Sequence, residues 1–437
     1  MTKWLRLLAI LSVVALVAAA CAEEGDGGAQ PDGGDDPCAQ DEFGCVEVAS
    51  GAPIEIGTLL VITGSDASLG QDSQNGAVLA TEFIGTDPWP GETAGEILGH
   101  PIEFNHQDDG CSAEGGQAGA NALAAEENIV AVIGTSCSSA ALGVADTILS
   151  DQGIPLISPS NTGPDLTAEA THQPFYLRTA HNDLLQGAAV AHFLLEEGAQ
   201  TLATIHDGSP YADGLQQAAA DEFSAGGGEV VAQEAVQVGD TDFGPLLTDI
   251  AADPPDALYY PIFVAEGGLI TQQARETSGL EDTLLAGSDG MFTPDWIEAA
   301  GPENAEGVFI SGPDLTAFAN PEFYENEFLP AYEEQFGEEP QAVFHAHAFD
   351  AMMMLVAAIE EVAIETDDGG LQIPRTALKD ALLATEGFEG IVGAHTCNEL
   401  GDCTPEATMA VFTVEGGDFT EDPVFTEELN LEEIIGG

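Results

Sequence analysis

The amino-acid sequence predicts two α/β lobes, each built on a parallel sheet, that face one another across a cleft. From residue 53 onward, short apolar runs alternate with longer amphipathic segments, which indicates βαβ units. The alternation restarts near residue 201, which indicates a second lobe of the same kind. The chain has 437 residues, and at roughly 150 residues per domain this leaves room for two or three hydrophobic cores.

The elements follow in order along the chain. For the first lobe the pattern predicts strands at 54–63, 101–107, 129–134 and 154–158, with helices at 73–84, 115–127 and 138–152. For the second it predicts strands at 201–206, 229–237, 257–263 and 283–287, with helices at 212–225, 243–252 and 267–277. A further stretch at 307–312 precedes helices at 321–336, 342–364 and 374–384, and residues 409–414 and 418–424 resemble a closing hairpin. Open α/β sheets bind ligands beyond the carboxyl ends of their strands.

The amino terminus predicts export. Lys3 and Arg6 precede an apolar run at 7–17 that ends in small residues, which indicates a signal peptide over residues 1–20 that is too short to span a membrane. Residues 16–21 resemble a bacterial lipobox, which would make Cys21 the lipidated first residue of the mature chain; ordinary cleavage after an Ala-x-Ala site is the alternative. Residues 21–52, rich in Gly, Asp and Glu, are expected to form a flexible acidic linker.

The charge balance excludes one class of partner. The chain has 77 Asp and Glu against 6 Lys and Arg, a formal net charge of -71. Binding to a phosphate backbone needs clustered basic side chains, so nucleic acid is excluded. Such acidity is typical either of a salt-adapted surface, whose self-repulsion is screened at high ionic strength, or of lineage composition alone. Thermal unfolding across a salt series separates the two, because only the first predicts a melting temperature that rises with salt.

Seven cysteines are compatible with an oxidising compartment. Without Cys21, six remain, and they form three plausible disulfide pairs. A zinc site is the competing interpretation, but the spacings lack paired CxxC knuckles or a nearby His pair. The expected pairs are Cys38 with Cys45, Cys111 with Cys137, and Cys397 with Cys403.

Motifs of catalysis are absent from the sequence. It contains no GxSxG elbow, no GxxxxGK[ST] loop and no GxGxxG fingerprint. His345 and His347 lie two residues apart on a predicted helix and therefore on different faces, which favours helix packing over metal ligation. We expect no enzyme activity, no cofactor and no bound metal.

The segment 108–166 carries the informative motifs. Asp-Asp-Gly-Cys at 108–111, Gly-Thr-Ser-Cys-Ser-Ser at 134–139 and Pro-Ser-Asn-Thr-Gly-Pro-Asp-Leu at 159–166 each follow a predicted strand. These residues resemble periplasmic binding proteins of the leucine/isoleucine/valine type, the receptors of branched-chain amino acid ABC importers. The resemblance extends from residue 54 to about 425. It implies the type I fold of this family, with two Rossmann-like lobes and a three-segment hinge, and a disulfide between Cys111 and Cys137.

The same resemblance implies the first-lobe half of a binding site. Ser138 and Thr162 would contact the α-carboxylate and α-ammonium of the ligand, and Ser160 would contribute backbone groups. Ser138 also begins a helix, where free N–H groups favour an anion, although a plain N-cap is the alternative. Leu69 stands where the family has an aromatic contact to the ligand.

In the second lobe, the resemblance places three residues at the cleft. Tyr211 belongs to a segment that resembles the family's H-D-x-x-x-Y-G-x-G motif. Phe263 ends a strand where the family's Tyr packs on the ligand. Asp289 stands where a family Glu neutralises the ligand ammonium, so the carboxylate is one methylene shorter; a simple turn-forming role is the alternative.

The expected function follows from this resemblance. The protein would be a monomeric, lipid-anchored receptor on the outer face of the cytoplasmic membrane that delivers a small amino acid to an ABC permease and its ATPase by hinge closure. An amide, urea or short carboxylic acid is the alternative ligand, and sensing without transport is the alternative role. The expected lobes are 53–177 with 310–392 and 178–309 with 393–437. The hinge is expected at 175–179, 307–313 and 391–404, with Arg178 paired to a hinge carboxylate.

Overall fold

The first sheet has six strands, five of them parallel. The computed structural model describes residues 37–436. The four strands expected for the first lobe are present, and each edge of the sheet carries one further strand that is too short for a clear sequence pattern. From edge to edge the strands are Glu96–Ile97, His100–Asp108, Ile54–Leu60, Ile129–Gly134, Leu156–Ser158 and Tyr176–Arg178, and only the first of them is antiparallel to its neighbour.

The second sheet repeats this order of parallel strands and adds an antiparallel edge. The predicted hairpin at its end is confirmed, and a third strand pairs on the same edge. From edge to edge the strands are Glu229–Ala235, Thr201–His206, Ala257–Tyr259, Leu284–Gly287, Phe309–Pro313 and Glu406–Glu415, the last of which also pairs with Asp418–Phe419 and Phe425–Asn430.

Both sheets reverse their winding beside their first strand. In the first sheet, Ile54–Leu60 lies between His100–Asp108 and Ile129–Gly134; in the second, Thr201–His206 lies between Glu229–Ala235 and Ala257–Tyr259. At such a switch point the connections leave to opposite faces of the sheet, so a crevice forms beyond the carboxyl ends of the strands. The fold therefore provides two crevices, one per lobe.

Helices cover both sheets. Asp183–Glu196 was not predicted, because ten of its residues are buried and such a helix lacks the polar stripe on which a periodic pattern depends. Helical turns also span 138–151 and 321–336, each with an internal π turn. The longer helices are Ala67–Phe83, Ala113–Ala124, Asp183–Glu196, Pro210–Ala225, Gly244–Ile250, Val264–Glu276, Pro294–Ala300, His345–Val362 and Arg375–Leu383.

The chain crosses between the lobes later than expected. Phe309–Pro313 belongs to the second sheet throughout, so the expected lobe boundary at residue 310 and the expected hinge segment at 307–313 are wrong: pairing with Glu406–Glu415 holds this strand in the second lobe. Tyr176–Arg178 similarly extends the first sheet to Arg178. After Pro313 the chain returns to the first lobe, where helix His345–Val362 joins the same core as Ala67–Phe83.

The residues before the first lobe are partly folded. Strand Cys45–Val48 pairs antiparallel with Leu371–Pro374, and Val46 is buried in the first core. Residues 37–52 of the expected linker are therefore part of the folded body, because alternate apolar side chains of this segment are buried against the lobe. The expected signal peptide, the expected lipidation site Cys21 and the rest of the expected linker, up to residue 36, lie outside the described residues.

Three disulfides form, in the pairs expected from the sequence. They join Cys38 to Cys45, Cys111 to Cys137 and Cys397 to Cys403, with S–S distances of 2.00, 1.93 and 1.99 Å. Among residues 37–436, no helix has the length and apolar character needed to cross a bilayer.

Candidate ligand-binding site

A narrow cavity of about 10 Å³ lies where the two crevices meet, so the lobes close almost to contact around it. Six of the seven residues expected to bind a ligand line it, and Ser136 and Cys137 complete the wall. Thr162, the seventh, is not part of the lining, although it is completely buried. The six are Leu69, Ser138 and Ser160 from the first lobe and Tyr211, Phe263 and Asp289 from the second.

The first-lobe wall is held by hydrogen bonds within its own lobe. Ser138 Oγ accepts a hydrogen bond from Gly163 N at 3.1 Å, and Ser160 Oγ donates to Ser136 O at 3.1 Å. Ser136 Oγ in turn accepts from Val61 N at 3.0 Å. The hydroxyl groups therefore fasten the loops after three neighbouring strands to one another, and this wall is organised without any contribution from the second lobe.

The Cys111–Cys137 disulfide and Asp109 fix the base of this wall. Asp109 accepts hydrogen bonds from Cys111 N at 2.8 Å and Ser136 N at 2.7 Å. Burial raises the pKa of Asp109 to about 7, although these backbone donors favour its ionised form. The loop of Cys111 is thus tied to the loop of Cys137 in two ways: by the disulfide and by the Asp109 carboxyl group, which accepts hydrogen bonds from both loops.

The second-lobe wall centres on a buried carboxylate. Asp289 is 4% exposed, and its Oδ1 accepts hydrogen bonds from Tyr211 OH and from Gln186 Nε2, each at 2.8 Å. Burial raises the pKa of Asp289 to about 6, against the opposing effect of these two donors. Tyr211 OH also lies 2.7 Å from Ser288 Oγ. Asp289 is therefore more than a turn residue, because its side chain is an anchored acceptor that lines the cavity.

Sequence analysis missed Asp183 and Gln186, which lie behind this wall. Asp183 is completely buried, and within the described chain neither of its carboxyl oxygens has a partner in hydrogen-bonding geometry. Burial and the nearby charge of Asp289 raise its pKa well above the usual value, while the Thr162 hydroxyl and Arg178 oppose this shift. The sequence contained one signal for these two residues, because an Asp and a Gln stand inside an otherwise apolar run. Such polar residues are rarely buried unless they have a structural or functional role.

The two lobes are in contact, so the structure represents a closed form. Asp66 Oδ1 of the first lobe accepts a hydrogen bond from Val264 N, at the start of a second-lobe helix, at 3.3 Å. Leu69 and Cys137 belong to the same apolar cluster as Ile262 and Val264. Burial raises the pKa of Asp66. Apolar and polar contacts both close the cleft beside the cavity.

The hinge is fastened by the ion pair expected for Arg178. Its Nε donates to Asp402 Oδ1 at 2.6 Å, and both side chains are buried. The guanidinium also donates to the carbonyl oxygens of Asn161 and Gly163 and to Thr167 Oγ1. One side chain thus connects the first and last crossing segments to the loop that carries Thr162.

His345 takes part in helix packing, as expected. Its Nδ1 lies 3.0 Å from Asp72 Oδ2, and its Nε2 lies 2.7 Å from Tyr324 OH. His347 is buried separately on the same helix. Within the described part of the chain, no group of three or more His, Cys, Asp or Glu side chains is arranged to hold a metal ion.

Comparison with known proteins agrees with this architecture. The chain belongs to the periplasmic binding protein family, whose sequence profile matches residues 53–418. It is accordingly an extracytoplasmic solute-binding receptor of the type I fold.

Several relatives and solved structures that resemble this chain are named for branched-chain amino acids. The chain is similar to Leu/Ile/Val-binding protein homolog 3 of Brucella melitensis, with 30% identity over 356 residues, covering 81% of this chain and 89% of the relative. Among solved structures, a leucine binding protein of Thermotoga maritima matches with a TM-score of 0.73, 26% identity and coverage of 87% and 99%. A branched-chain amino acid transporter substrate binding protein of Streptococcus pneumoniae, in complex with isoleucine, matches with a TM-score of 0.72 and 26% identity. This match covers 86% of this chain and 99% of the other.

Proposed function

We propose that this receptor captures an aliphatic amino acid in the cavity between its lobes and delivers it to an ABC permease. The observation that carries the proposal is the polarity of the cavity: the first lobe presents hydroxyl groups and the start of a helix, and the second presents a buried carboxylate. This distribution matches a zwitterion, whose carboxylate and ammonium require opposite environments. The relatives named for leucine, isoleucine and valine support the same ligand class.

The carboxylate of the ligand is assigned to the first lobe. Ser138 begins the helical segment 138–151, and the first N–H groups of a helix have no partner within it. Together with the positive end of the helix dipole they favour an anion. Ser138 Oγ already accepts from Gly163 N, so its hydroxyl hydrogen is available to a carboxylate oxygen.

The ammonium of the ligand is assigned to the acidic side of the cavity. Asp289 lines the cavity, and Asp183 lies close enough for their charges to interact. Two buried carboxylates repel each other, and a cation placed near both relieves that repulsion.

The side chain of the ligand is assigned to the apolar part of the wall. Leu69 and Phe263 line the cavity, and the ring centroids of Phe263 and Tyr211 are 5.0 Å apart. An aliphatic side chain fits this surface, since burial of apolar area is favourable by about 25 cal/mol per Å². Leucine, isoleucine and valine are therefore the first ligands to test.

The mechanism is closure about the hinge. Each lobe contributes half of the contacts, so the ligand stabilises the arrangement in which the lobes meet. The permease then recognises this closed form, and ATP is hydrolysed by separate subunits. Lipid attachment at Cys21, a monomeric state and a location on the outer face of the cytoplasmic membrane complete the proposal.

A thermal-shift screen of the mature protein without its lipid tests the ligand class. The panel comprises the twenty amino acids, urea, short amides and small carboxylic acids at high salt. A ligand at a hundredfold excess over Kd stabilises the folded form by about 2.7 kcal/mol. We expect shifts confined to aliphatic amino acids. A response to amides or carboxylic acids alone would refute the zwitterion assignment while retaining the receptor.

A further inference from the structure

The side chain of Gln186 connects the ligand-binding cavity to the hinge. Gln186 is completely buried in helix Asp183–Glu196, which packs in the second lobe. Its amide nitrogen lies 2.8 Å from Oδ1 of Asp289, which lines the cavity. Its amide oxygen lies 2.6 Å from Nε2 of His181, in residues 179–182, the segment that crosses from the first lobe to this helix. The lining of the cavity, all of it from described residues, does not include Gln186, so this side chain can act on a ligand only through Asp289.

Hydrogen bonding fixes the orientation of the amide. The amide nitrogen lies 2.8 Å from Asp289 Oδ1 and 3.1 Å from the backbone oxygen of Ser311. A backbone oxygen can only accept, so the NH2 group with its two hydrogens must face this pair. The amide oxygen then faces His181 Nε2, which must carry a hydrogen. A reversed amide would place oxygen against oxygen at Asp289 and Ser311, and two donors together at His181.

His181 is itself held from the first lobe. Its side chain is buried, and its ring stacks on that of Phe344 with the centroids 6.2 Å apart. Phe344 immediately precedes the first-lobe helix His345–Val362. The donor that orients the amide of Gln186 is therefore positioned by the crossing segment and by the start of a helix in the opposite lobe.

The amide has two effects on the carboxylate of Asp289. Gln186 Nε2 and Tyr211 OH both donate to Oδ1, each at 2.8 Å, so we assign the ligand ammonium to Oδ2. Hydrogen bonds to a carboxylate also favour its ionised form. The donors Tyr211 and Gln186 thus oppose the burial that raises the pKa of Asp289 to about 6. Without Gln186 the acceptor would turn more freely and would lose its charge at a higher pH.

We propose that Gln186 is a positioning residue for the ligand ammonium: it orients the Asp289 carboxylate and stabilises its negative charge, and His181 of the crossing segment orients Gln186. The inference rests on the proposed function, because it takes the ligand to be an amino acid whose ammonium meets Asp289. It adds a residue that touches no ligand yet sets the strength of the ammonium contact, and it ties that contact to the hinge.

The surroundings of Asp289 define which groups titrate. Burial raises the pKa of both neighbouring tyrosines well above the usual value and lowers that of His181 to about 4, so these three groups stay neutral between pH 6 and 8. The Asp289 and Asp183 carboxyl groups are the members of the network whose charge can change in this range. The titratable and charged groups that face Asp289 or its partners are Asp183, Tyr211, Tyr259, His181 and Arg178.

Gln186→Met tests the proposal, because it keeps the length of the side chain and removes the donor. Leucine binding is measured by isothermal titration calorimetry from pH 8 to pH 6 at high salt. We expect the Kd to rise about tenfold at pH 7. The ratio of the variant Kd to the unaltered Kd should grow several-fold from pH 8 to pH 6, because loss of a donor raises the pKa of Asp289. A ratio that is the same at every pH would overturn the proposal, since a packing defect does not depend on the charge of Asp289.

Gln216→Met is the matched control. Gln216 is also a buried amide on a second-lobe helix, but it accepts a hydrogen bond from Thr204 Oγ1 and does not line the cavity formed by the described residues. Its Kd for leucine should match that of the unaltered protein at every pH. Thermal unfolding without leucine establishes that each variant is folded.

A double variant separates Asp289 from Asp183. In the Asp289→Asn background, Gln186→Met should change leucine affinity less than twofold, because the charge that Gln186 serves is gone. An undiminished effect in that background would assign the role to Asp183 or to packing and would refute the proposal. Failure of the proposed function has a different signature: the unaltered protein would bind no leucine, or Asp289→Asn would bind it equally well.

His181→Phe tests the link to the hinge and does not depend on the folding of Gln186→Met. It keeps a ring against Phe344 and removes the donor to Gln186. We expect the Kd for leucine to rise about threefold, with the same steepening toward low pH, because the amide is then held in its orientation by Ser311 and Asp289 alone. Unchanged affinity at every pH would refute the orientation of Gln186 by the crossing segment.

Discussion

The two halves of the ligand-binding cavity are built on different principles. Ser138, Ser160 and Ser136 of the first lobe are neutral and satisfied by hydrogen bonds within that lobe. The second lobe presents a charge, Asp289, whose burial raises its pKa. The first lobe is therefore a preorganised docking surface, whereas the carboxylate of the second lobe gains most from a cationic partner once the cleft excludes water. Affinity should therefore depend most on the second lobe, and on the hinge that brings the halves together.

The largest effect is expected at the hinge. Arg178→Met leaves Asp402 buried without its cation, and we expect a loss of about 3–5 kcal/mol in the free energy of unfolding, measured by urea denaturation. Arg275→Met is the matched control, because Arg275 also donates to carbonyl oxygens but is exposed; its cost should stay below about 1 kcal/mol. Similar losses in the two variants would show that the buried pair does not hold the halves together.

The next largest effect is expected on leucine affinity, when the charge of the second-lobe half of the cavity is removed. Asp289→Asn keeps the shape of the side chain but removes the partner of the ligand ammonium. We expect leucine affinity to fall by about 2–4 kcal/mol, roughly thirty- to a thousandfold, in isothermal titration calorimetry. Asp282→Asn, at an exposed position of the same lobe, should bind leucine as the unaltered protein does. Unchanged affinity in Asp289→Asn would contradict the ammonium assignment.

The pH dependence of leucine binding also tests the role of the Asp289 carboxylate. The pKa of Asp289 is raised to about 6, so the carboxyl group is mostly ionised at pH 7 and mostly protonated at pH 5. Leucine keeps its ammonium throughout this range, and we therefore expect its Kd to rise roughly tenfold as pH falls from 7 to 5. Asp289→Asn should show a nearly flat profile. An equally steep profile in that variant would assign the titration to another group.

The smallest effect is expected in the neutral half. Ser138→Ala removes a hydroxyl that binds Gly163 N and, in our proposal, the ligand carboxylate. We expect a loss of about 1 kcal/mol in leucine affinity, roughly fivefold, because the backbone N–H groups remain. Ser224→Ala, at an exposed position, is the control. A loss as large as that of Asp289→Asn would mean that the two halves do not differ as described.

The residues of the candidate site that could be predicted from the sequence are those that directly follow strands. Ser138, Ser160, Tyr211, Phe263 and Asp289 all follow strands, and short motifs mark their positions in the sequence. Parallel strands of one sheet end at the same edge, so the residues of each lobe lie together there, and the family resemblance implied that the two lobes face each other across the site. Two of the disulfides join cysteines that are six or seven residues apart, and the third, Cys111–Cys137, was implied by the family resemblance.

Other features escaped the sequence pattern for identifiable reasons. Asp183 and Gln186 lie in a helix that is buried on most sides, where polar and apolar residues follow no stripe. Tyr176–Arg178 and Glu96–Ile97 have three and two residues, too few to show a period. The composition of the acidic segment before the first lobe predicts a linker up to residue 52, and this composition obscures the strand signal of the alternating Val46 and Val48.

Local periodicity in the sequence predicted the alternation of strands and helices and the two lobes, and the family resemblance of its motifs implied the Cys111–Cys137 disulfide and most of the residues that line the cavity. The crossing points of the chain between the lobes, the position of Asp183 beside Asp289 and the choice of Asp402 as the partner of Arg178 became known only from the three-dimensional contacts. These features arise from side chains that are distant in sequence. Their energies depend on burial and on the distances between charges, and no local pattern of residues records either quantity.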